Sequence, residues 1–554
     1  MKKLRIYTKK STFLLVLLLI LGTLLRFYNL NWGAPYYFHP DERNIASAID
    51  QLHFPDNLNP KFFAYGSIPI YITYSIGIVI NSILSITDSV KDIFDVSFEQ
   101  AILIGRFFSA TLSVGTILLL YKTARMFVSQ RFSLLAAFLA TCSVGLIQYA
   151  HFGTFEMYLT FFSLLLLYVL IKYQQSHFFK YFLYSIFIIG ILTAIKISSL
   201  ILFPLPLLLA FNIALKKRYR IRKMIFIPLS KSIISILFVG AIFVVTNPFV
   251  LLDFQSFSGS IQYESGVATG SIPVFYTGTF YNTVPILFQS LYVMPFLLNP
   301  VVWIFVLPAL TILCIQSLKK SNQHYRLILI FFLFLFIPQA ILFVKWTRYM
   351  VPTLPILYLI IVIFLSFLQK SIVSKKPLYT WIIPTMSIIL ISSSIIWTGA
   401  LVKTVYSDTD TRVAAAQAMI PRGQIPTTVL SEVYDMGIVP FDIAFSDIHL
   451  FDFYHIEDNQ ILQQDLPSLL SQSDIFILPS QRLIKSRTLN NEKFSHGNRF
   501  YQSVQTSSRF SQIYKTPCDV WCSLLYLGDP VYGVEETANV FDRPTVSIYK
   551  ISTK

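Results

Sequence analysis

Residues 2–30, KKLRIYTKKSTFLLVLLLILGTLLRFYNL, set five basic residues and no acid ahead of an unbroken apolar run at 13–25. Positive charge followed by uninterrupted hydrocarbon marks a helix that enters a membrane and leaves its basic end in the cytoplasm. The stretch also imitates a secretory signal. Arg26-Phe27-Tyr28-Asn29-Leu30 stands where small residues would mark a cleavage site, so the reading is an uncleaved first span. The pattern recurs outward along the chain. Segments 122–131, 172–180, 216–223, 319–326 and 370–376 hold basic residues without acids, and with 2–10 they carry 22 positive charges. All six lie on the cytoplasmic side if the spans between them come in pairs. The net charge of +16 therefore records orientation and gives no ground for a nucleic-acid partner.

Composition agrees. Of 554 residues 55% are apolar and only 13% charged, whereas a soluble domain carries about 25% charge. Disorder, a fibrous chain and an ordinary soluble enzyme are excluded. Four cysteines exclude a disulfide-stapled secreted scaffold. Apolar runs predict spans near 11–28, 101–121, 132–150, 155–171, 181–196, 197–215, 232–250, 300–318, 327–345, 349–369 and 379–402. Eleven spans put the N-terminus inside and the C-terminus outside. A twelfth run, 67–87, is long enough to cross, but crossing would move the acids at 88, 92, 95 and 99 inside and every later basic loop outside. It reads as an interfacial or re-entrant helix in the first external loop. The same argument demotes 283–299, which ends at Asn299-Pro300.

The 152 residues after Val402 carry 13 basic and 17 acidic residues, the polarity of a soluble domain. A helix is predicted over 411–419, with Asp408 or Asp410 at its N-terminus, and strands over 427–430, 475–478 and 545–549. The expected architecture is an all-α polytopic membrane domain over 1–402, with about eleven transmembrane helices and a first external loop at 29–100. An extracytoplasmic α/β domain over 403–554 completes it.

Chemistry-bearing residues gather at the outer face. The first loop holds His39-Pro40-Asp41-Glu42-Arg43, followed by apolar residues at helical spacing. Two readings stand: a helix start with proline and acids in its first turn, or a carboxylate held at the membrane surface as a general base. Arg106, Lys196 and Arg348 lie at span ends on that same side. Each snorkels to headgroups or binds an anion, and three at one level favour an anionic ligand. Glu156 opens the fourth span and Asp253 follows the seventh, where each can cap a helix or pair with a cation. Cys518 and Cys522 form a local disulfide or remain thiols. Asp408-Thr409-Asp410 imitates a metal-holding carboxylate pair but reads better as a cap.

These residues carry a resemblance. Arg26-Phe-Tyr-Asn-Leu30, Phe38-His-Pro-Asp-Glu42, Tyr65-Gly-Ser-Ile-Pro-Ile-Tyr71, Gly105-Arg-Phe-Phe-Ser-Ala110 and His151-Phe-Gly-Thr-Phe-Glu156 come in order. Gly190 with Lys196, Thr246-Asn-Pro-Phe249 with Asp253, and Arg348-Tyr-Met-Val-Pro-Thr-Leu-Pro355 follow, then Asp410-Thr-Arg-Val-Ala and Val540-Phe-Asp-Arg-Pro-Thr. The chain resembles, almost end to end, the GT-C glycosyltransferases of family 39. That group includes protein O-mannosyltransferases and lipid A aminoarabinose transferases.

The resemblance implies an inverting transferase in a plasma membrane. It would move a sugar from a polyprenyl phosphate to a hydroxyl of a protein, lipid or glycan acceptor outside the cytoplasm. Asp41 would be the base and Glu42 would orient acceptor or base. Arg106, Lys196 and Arg348 would grip the donor phosphate in place of an acid and a metal, so no cofactor is expected. His39, Glu156, Asp253 and Tyr349 would support them. Two departures bear on this: relatives often carry Asp where Glu156 stands, and the β-trefoil-like insert of eukaryotic protein-mannosylating members is missing. The alternative is a non-catalytic carrier or transporter whose cations hold a lipid phosphate. Transporters place charges at the midplane; here they gather at one face.

Overall fold

The computed structural model describes residues 2–87, 91–216, 221–373, 380–421, 427–528 and 537–552. Parts of the basic segments 216–223 and 370–376, and Asp88, lie outside them. Each expected span is occupied by helix. Among the described residues nine helices are long and apolar enough to cross a membrane, ten if one bent pair counts as a single span. The expected eleven differ from this set in three ways. Apolar helices over Ser11–Phe27 and Phe179–Ile195 are short, Gln130–Thr141 with Val144–His151 is the bent pair, and Ile68–Thr87 qualifies on length and composition alone.

The ends of Ile68–Leu84 are tied to neighbouring elements. At its start Gly66 donates to Ile195 O (2.9 Å) and Ser67 N–H to Asn247 Oδ1 (2.6 Å), at the ends of two other spans. Near its far end Asn81 Nδ2 donates to Asp95 O (2.8 Å) and Gln100 Nε2 to Asn81 Oδ1 (2.8 Å), at the start of helix Phe98–Ala124. Gly66 is required at the first tie: a Cβ would sit 1.8 Å from Ala194 O. The demoted run at 283–299 forms only one π-helical turn and the short helix Met294–Leu298.

The bent pair turns by 53° at Cys142-Ser143. A break inside a membrane frees backbone carbonyls that must find donors within the protein. Arg26 supplies them: its guanidinium, fully buried, donates to Ala140 O (2.8 Å), Thr141 O (3.1 Å) and Ser113 Oγ (2.6 Å). Ser143 Oγ accepts from Leu146 N and starts the second half. The arginine that follows the first apolar run is thus a structural donor to a broken helix.

Helix Ile382–Leu401 continues in π-helical turns through Ser407 and leads into Thr411–Met419, capped by Asp410 through Arg412 N–H (2.9 Å). A five-stranded sheet follows: β1 (Thr428–Glu432), β2 (Asp447–Phe451), β3 (Ile475–Leu478), β4 (Phe510–Lys515) and β5 (Ser547–Ile551), in the order β2-β1-β3-β5-β4. β1 runs parallel to β2 and β3, and β5 antiparallel to β3 and β4. The run Ile475–Leu478 is buried throughout because both faces are covered. Phe476 and Leu478 pack with Phe453 and Phe500, while Ile475 and Ile477 pack with Ala415 and Phe441. Cys518 and Cys522 are disulfide-bonded. The Asp408-Thr409-Asp410 triplet is occupied by cations, Asp408 by Lys403 and Asp410 by Arg412.

The sheet unit sits on the first loop. Arg412 lies 3.5 Å over the Phe38 ring, Phe541 packs on His39 at 4.4 Å, and Gln148 hydrogen-bonds Asp542. The enclosed space between bundle and sheet becomes the site.

Candidate active site

Helix Pro40–Asp50 begins with proline in its first turn and two acids beside it, the composition a helix N-terminus favours. Asp41 and Glu42 are consecutive, so they diverge by roughly a quarter turn, and their surroundings differ completely. Glu42 is buried. Its carboxylate takes a two-pronged pair from Arg106, Nε to Oε1 and Nη2 to Oε2 both at 2.7 Å, and accepts from Gly153 N–H at 2.6 Å. Arg106 Nη1 donates to Leu30 O (2.9 Å) and Trp32 O (2.6 Å). Gly153 has no side chain because its backbone must touch both partners: a Cβ would lie 3.1 Å from Glu42 Oε1 and 3.3 Å from Arg106 N.

Asp41 faces the other way, into a cleft of roughly 1180 Å³ counting its open mouth. Arg348 Nη1 pairs with its Oδ2, and the Tyr65 hydroxyl lies 3.4 Å from the same oxygen. Both partners of the ion pair keep about a fifth of their side-chain surface exposed, 21% for Arg348 and 23% for Asp41. Arg348 also lines a second, smaller cavity of about 540 Å³, together with Lys196, Glu156 and Tyr349. Lys196 stands where helix Phe179–Ile195 ends in extended backbone. Its ammonium lies 4.7 Å from the Tyr349 ring centre, 5.2 Å from Phe155 and 5.6 Å from Tyr65. Aromatic faces hold an ammonium without neutralising it, which leaves its charge for an anion. Glu156 is buried beside it and its Oε2 has no hydrogen-bond partner. The apolar wall of this cavity, Leu159, Leu202, Phe334 and Leu335, belongs to helices of the bundle.

The sequence-named residues divide accordingly. Asp41, Arg348, Lys196, Tyr349 and Glu156 line the joined cavities. Four others do not. Arg106 lines neither cavity; a fully buried guanidinium with donors on Glu42, Leu30 and Trp32 anchors the helix start from behind. His39 is packed between Phe152 and Phe541, each 4.4 Å away, and burial, followed by the Arg348 and Arg106 charges, holds its imidazole well below the usual range. Asp253 heads helix Phe254–Thr269 and accepts from Asn59 Nδ2 at 2.9 Å, a loop tie outside the cavities. Glu42 cannot orient an acceptor while Arg106 and Gly153 occupy its oxygens.

Sequence reasoning missed the opposite wall. Trp346, Tyr276 and Glu264 come from the segments before Arg348, and Arg412, Tyr434, Asp435 and Arg482 from the sheet unit. Burial raises the Glu264 carboxyl, and the Lys196 charge opposes that rise. Tyr65 and Arg412 stood inside quoted motifs; the others carried no local signal.

Residues 92–247 match the family model of dolichyl-phosphate-mannose-protein mannosyltransferases. Among curated protein sequences none matches the chain significantly. Among solved structures the fold matches ArnT from Cupriavidus metallidurans bound to undecaprenyl phosphate. That match has a TM-score of 0.51 and 12% identity, and covers 99% of both chains. It also matches the Archaeoglobus fulgidus oligosaccharyltransferase in the apo form, with a TM-score of 0.51 and 11% identity over 98% of this chain and 88% of that one. The same archaeal enzyme in complex with an inhibitory peptide and a dolichol-phosphate matches at 0.51 and 11%, over 98% and 89%. At such identities the likeness is one of fold, and the fold is GT-C. With the matched segment the chain is similar to glycosyltransferases of GT-C type, the protein mannosyltransferases and ArnT among them.

Proposed function

We propose that the chain is an inverting glycosyltransferase that moves a sugar from a polyprenyl phosphate to a hydroxyl acceptor on the extracytoplasmic side of a plasma membrane. The observation that carries this is the Asp41–Arg348 contact at the junction of two cavities, one of which holds Lys196. The donor phosphate sits between Lys196 and Arg348, with its lipid leaving along the apolar wall of the smaller cavity. Arg348 grips two oxygens, and Lys196 acts as a point charge. Arrival of the phosphate draws Arg348 away from Asp41 and frees the carboxylate. The acceptor hydroxyl then attacks the anomeric carbon from the face opposite the phosphate. Its proton passes to Asp41 as the new C–O bond forms, and the bond to the phosphate oxygen breaks with its electron pair retained on polyprenyl phosphate. Lys196 and Arg348 stabilise the charge gathering on that oxygen. Residues 1–402 supply this machinery and 403–554 close it from outside.

Two relatives in fold are named with undecaprenyl phosphate or dolichol-phosphate bound, which supports a lipid-phosphate donor here. The test supplies labelled polyprenyl-phosphate sugar to membranes containing the wild type or Asp41→Asn. Transfer lost while lipid binding persists is the expected result. Lipid binding with no transfer by the wild type, across several donor sugars and acceptors, would favour a carrier.

A further inference from the structure

The larger cavity has a wall that the donor does not need. β1 lies between β2 and β3, so the chain leaves β1 to one side and returns past it to form β3. In open parallel sheets the crevice at the carboxyl ends of strands related in this way is where ligands bind. Here the loops after those two ends, 433–436 and 479–482, are the parts of the sheet unit that reach the cavity alongside Arg412, Val540 and Phe541.

Two side chains there are built for contact. Tyr434, directly after β1, has φ +66°, a left-handed conformation that is an outlier for a bulky residue, and its side chain is half exposed at the cavity rim. Strain of this kind persists where surrounding structure enforces it and gathers at ligand sites. Arg482, the first residue of helix Arg482–Leu489 after the short turn that follows β3, is buried, hydrogen-bonded to Tyr454 and lines the same cavity. Lys196 lines only the smaller cavity and Arg482 only the larger, with Arg348 and its partner Asp41 between them. An inverting attack needs donor phosphate and acceptor on opposite sides of the anomeric carbon, so the Tyr434–Arg482 wall is the acceptor's side.

We propose that Tyr434 and Arg482 form the acceptor subsite and that the acceptor is a sugar ring of a glycan. This rests on the glycosyl-transfer reading. Aromatic residues lining the cavity, Tyr434, Trp346 and Tyr276, suit the C–H face of a pyranose, while the forked Arg482 guanidinium, with Asp435 also in the lining, suits neighbouring ring hydroxyls. A peptide acceptor docking as an added strand needs a free sheet edge. The edge strands β2 and β4 contribute nothing to the cavity, and β1 and β3 are paired on both sides.

The test uses the full chain in lipid nanodiscs with methyl α-mannopyranoside, methyl β-glucopyranoside and a Ser/Thr hexapeptide as probes, followed by saturation-transfer NMR. Undecaprenyl phosphate binding is measured in parallel. The expected result is glycoside binding that weakens about tenfold in Tyr434→Ala and in Arg482→Gln and is unchanged in Lys196→Ala, where undecaprenyl phosphate binding falls instead. Tyr434→Gly controls for misfolding: it relieves the left-handed backbone, so it raises the thermal midpoint while binding glycosides as weakly as the alanine variant. Peptide binding that depends on Tyr434, or glycoside binding indifferent to both residues, overturns the proposal. A wild type that binds glycosides through Tyr434 but not undecaprenyl phosphate sinks the donor reading and the acceptor assignment with it.

Discussion

The Arg348 guanidinium contacts the Asp41 carboxylate while lining both cavities, so the proposed phosphate-gripping cation and the proposed base share one ion pair. About a fifth of each side chain is exposed. In the proposed reaction a donor phosphate and Asp41 compete for one guanidinium.

Replacing Asp41 by Asn should therefore do two opposite things. Transfer falls by about 10²–10⁴, the range for loss of a general base, while undecaprenyl phosphate binds several-fold tighter because Arg348 no longer has a rival. Transfer of labelled sugar and lipid-binding isotherms on one preparation check both. Unaltered or weaker lipid binding would show that the two anions do not share Arg348.

Arg348→Lys keeps the charge and loses the fork. The expected outcome is lipid-phosphate affinity reduced about tenfold, with Lys196→Ala comparable and the double variant lower still; hydrogen bonds to charged groups are worth about 1.5–3 kcal/mol. Full affinity in Arg348→Lys would mean that it serves only as a point charge.

Arg106→Ala and Glu42→Gln should act on folding before they act on the donor. Removing one partner of a buried pair costs about 3–5 kcal/mol because the other charge is left without compensation. Loss of thermal stability in detergent, with near-normal undecaprenyl phosphate affinity in the fraction that remains folded, is expected. A normal melting profile with abolished lipid binding would return Arg106 to the donor site.

Glu432, at the end of β1, is fully buried under the Tyr501 hydroxyl, and burial pushes its carboxyl from 4.5 to about 8. Between those values the folded state keeps a proton that the unfolded state has released. This contribution to stability is complete below about 4.5 and declines as pH rises, until it is gone above about 8. Glu432→Gln retains an oxygen for Tyr501 and removes the titration, so its thermal midpoint should exceed the wild type's at pH 8 and converge with it near pH 5. Parallel profiles across this range would refute the buried proton.

For orientation, Lys91→Cys and Ser321→Cys are placed in a background where Cys142 and Cys314 are serine. An impermeant thiol reagent added to intact cells should label the first and spare the second. Equal labelling would overturn the assignment of the first loop to the outside.

Much of the site was legible because charge near lipid is costly and therefore conspicuous. Lys196 and Arg348 stood out as ionisable residues at span ends and Asp41 within an acidic cluster of the first loop, and the structure brings them to two cavities that share Arg348. The same signal misplaced Arg106 and Asp253. A charge in an apolar run declares that it has a partner and does not say whether that partner is a ligand or, as for Arg106, the neighbouring Glu42. Arg26 shows the limit again: it is a cation in a span whose partners are two carbonyls freed by a helix break more than a hundred residues away.

Hydrophobic length and the spacing of basic loops, both local properties of the chain, determined the helical membrane bundle and the sheet-forming tail, because burial in lipid or in a core is decided segment by segment. Which of two adjacent acids faces the cavity, and which loops close over it, were decided only in three dimensions. Asp41 and Glu42 share a helix turn, and the choice between them was made by Arg106 and Gly153 reaching in from one side and Arg348 from the other. Tyr434 and Arg482 meet the same cavity only because a strand order, set by contacts far apart in sequence, turns two loops toward the bundle.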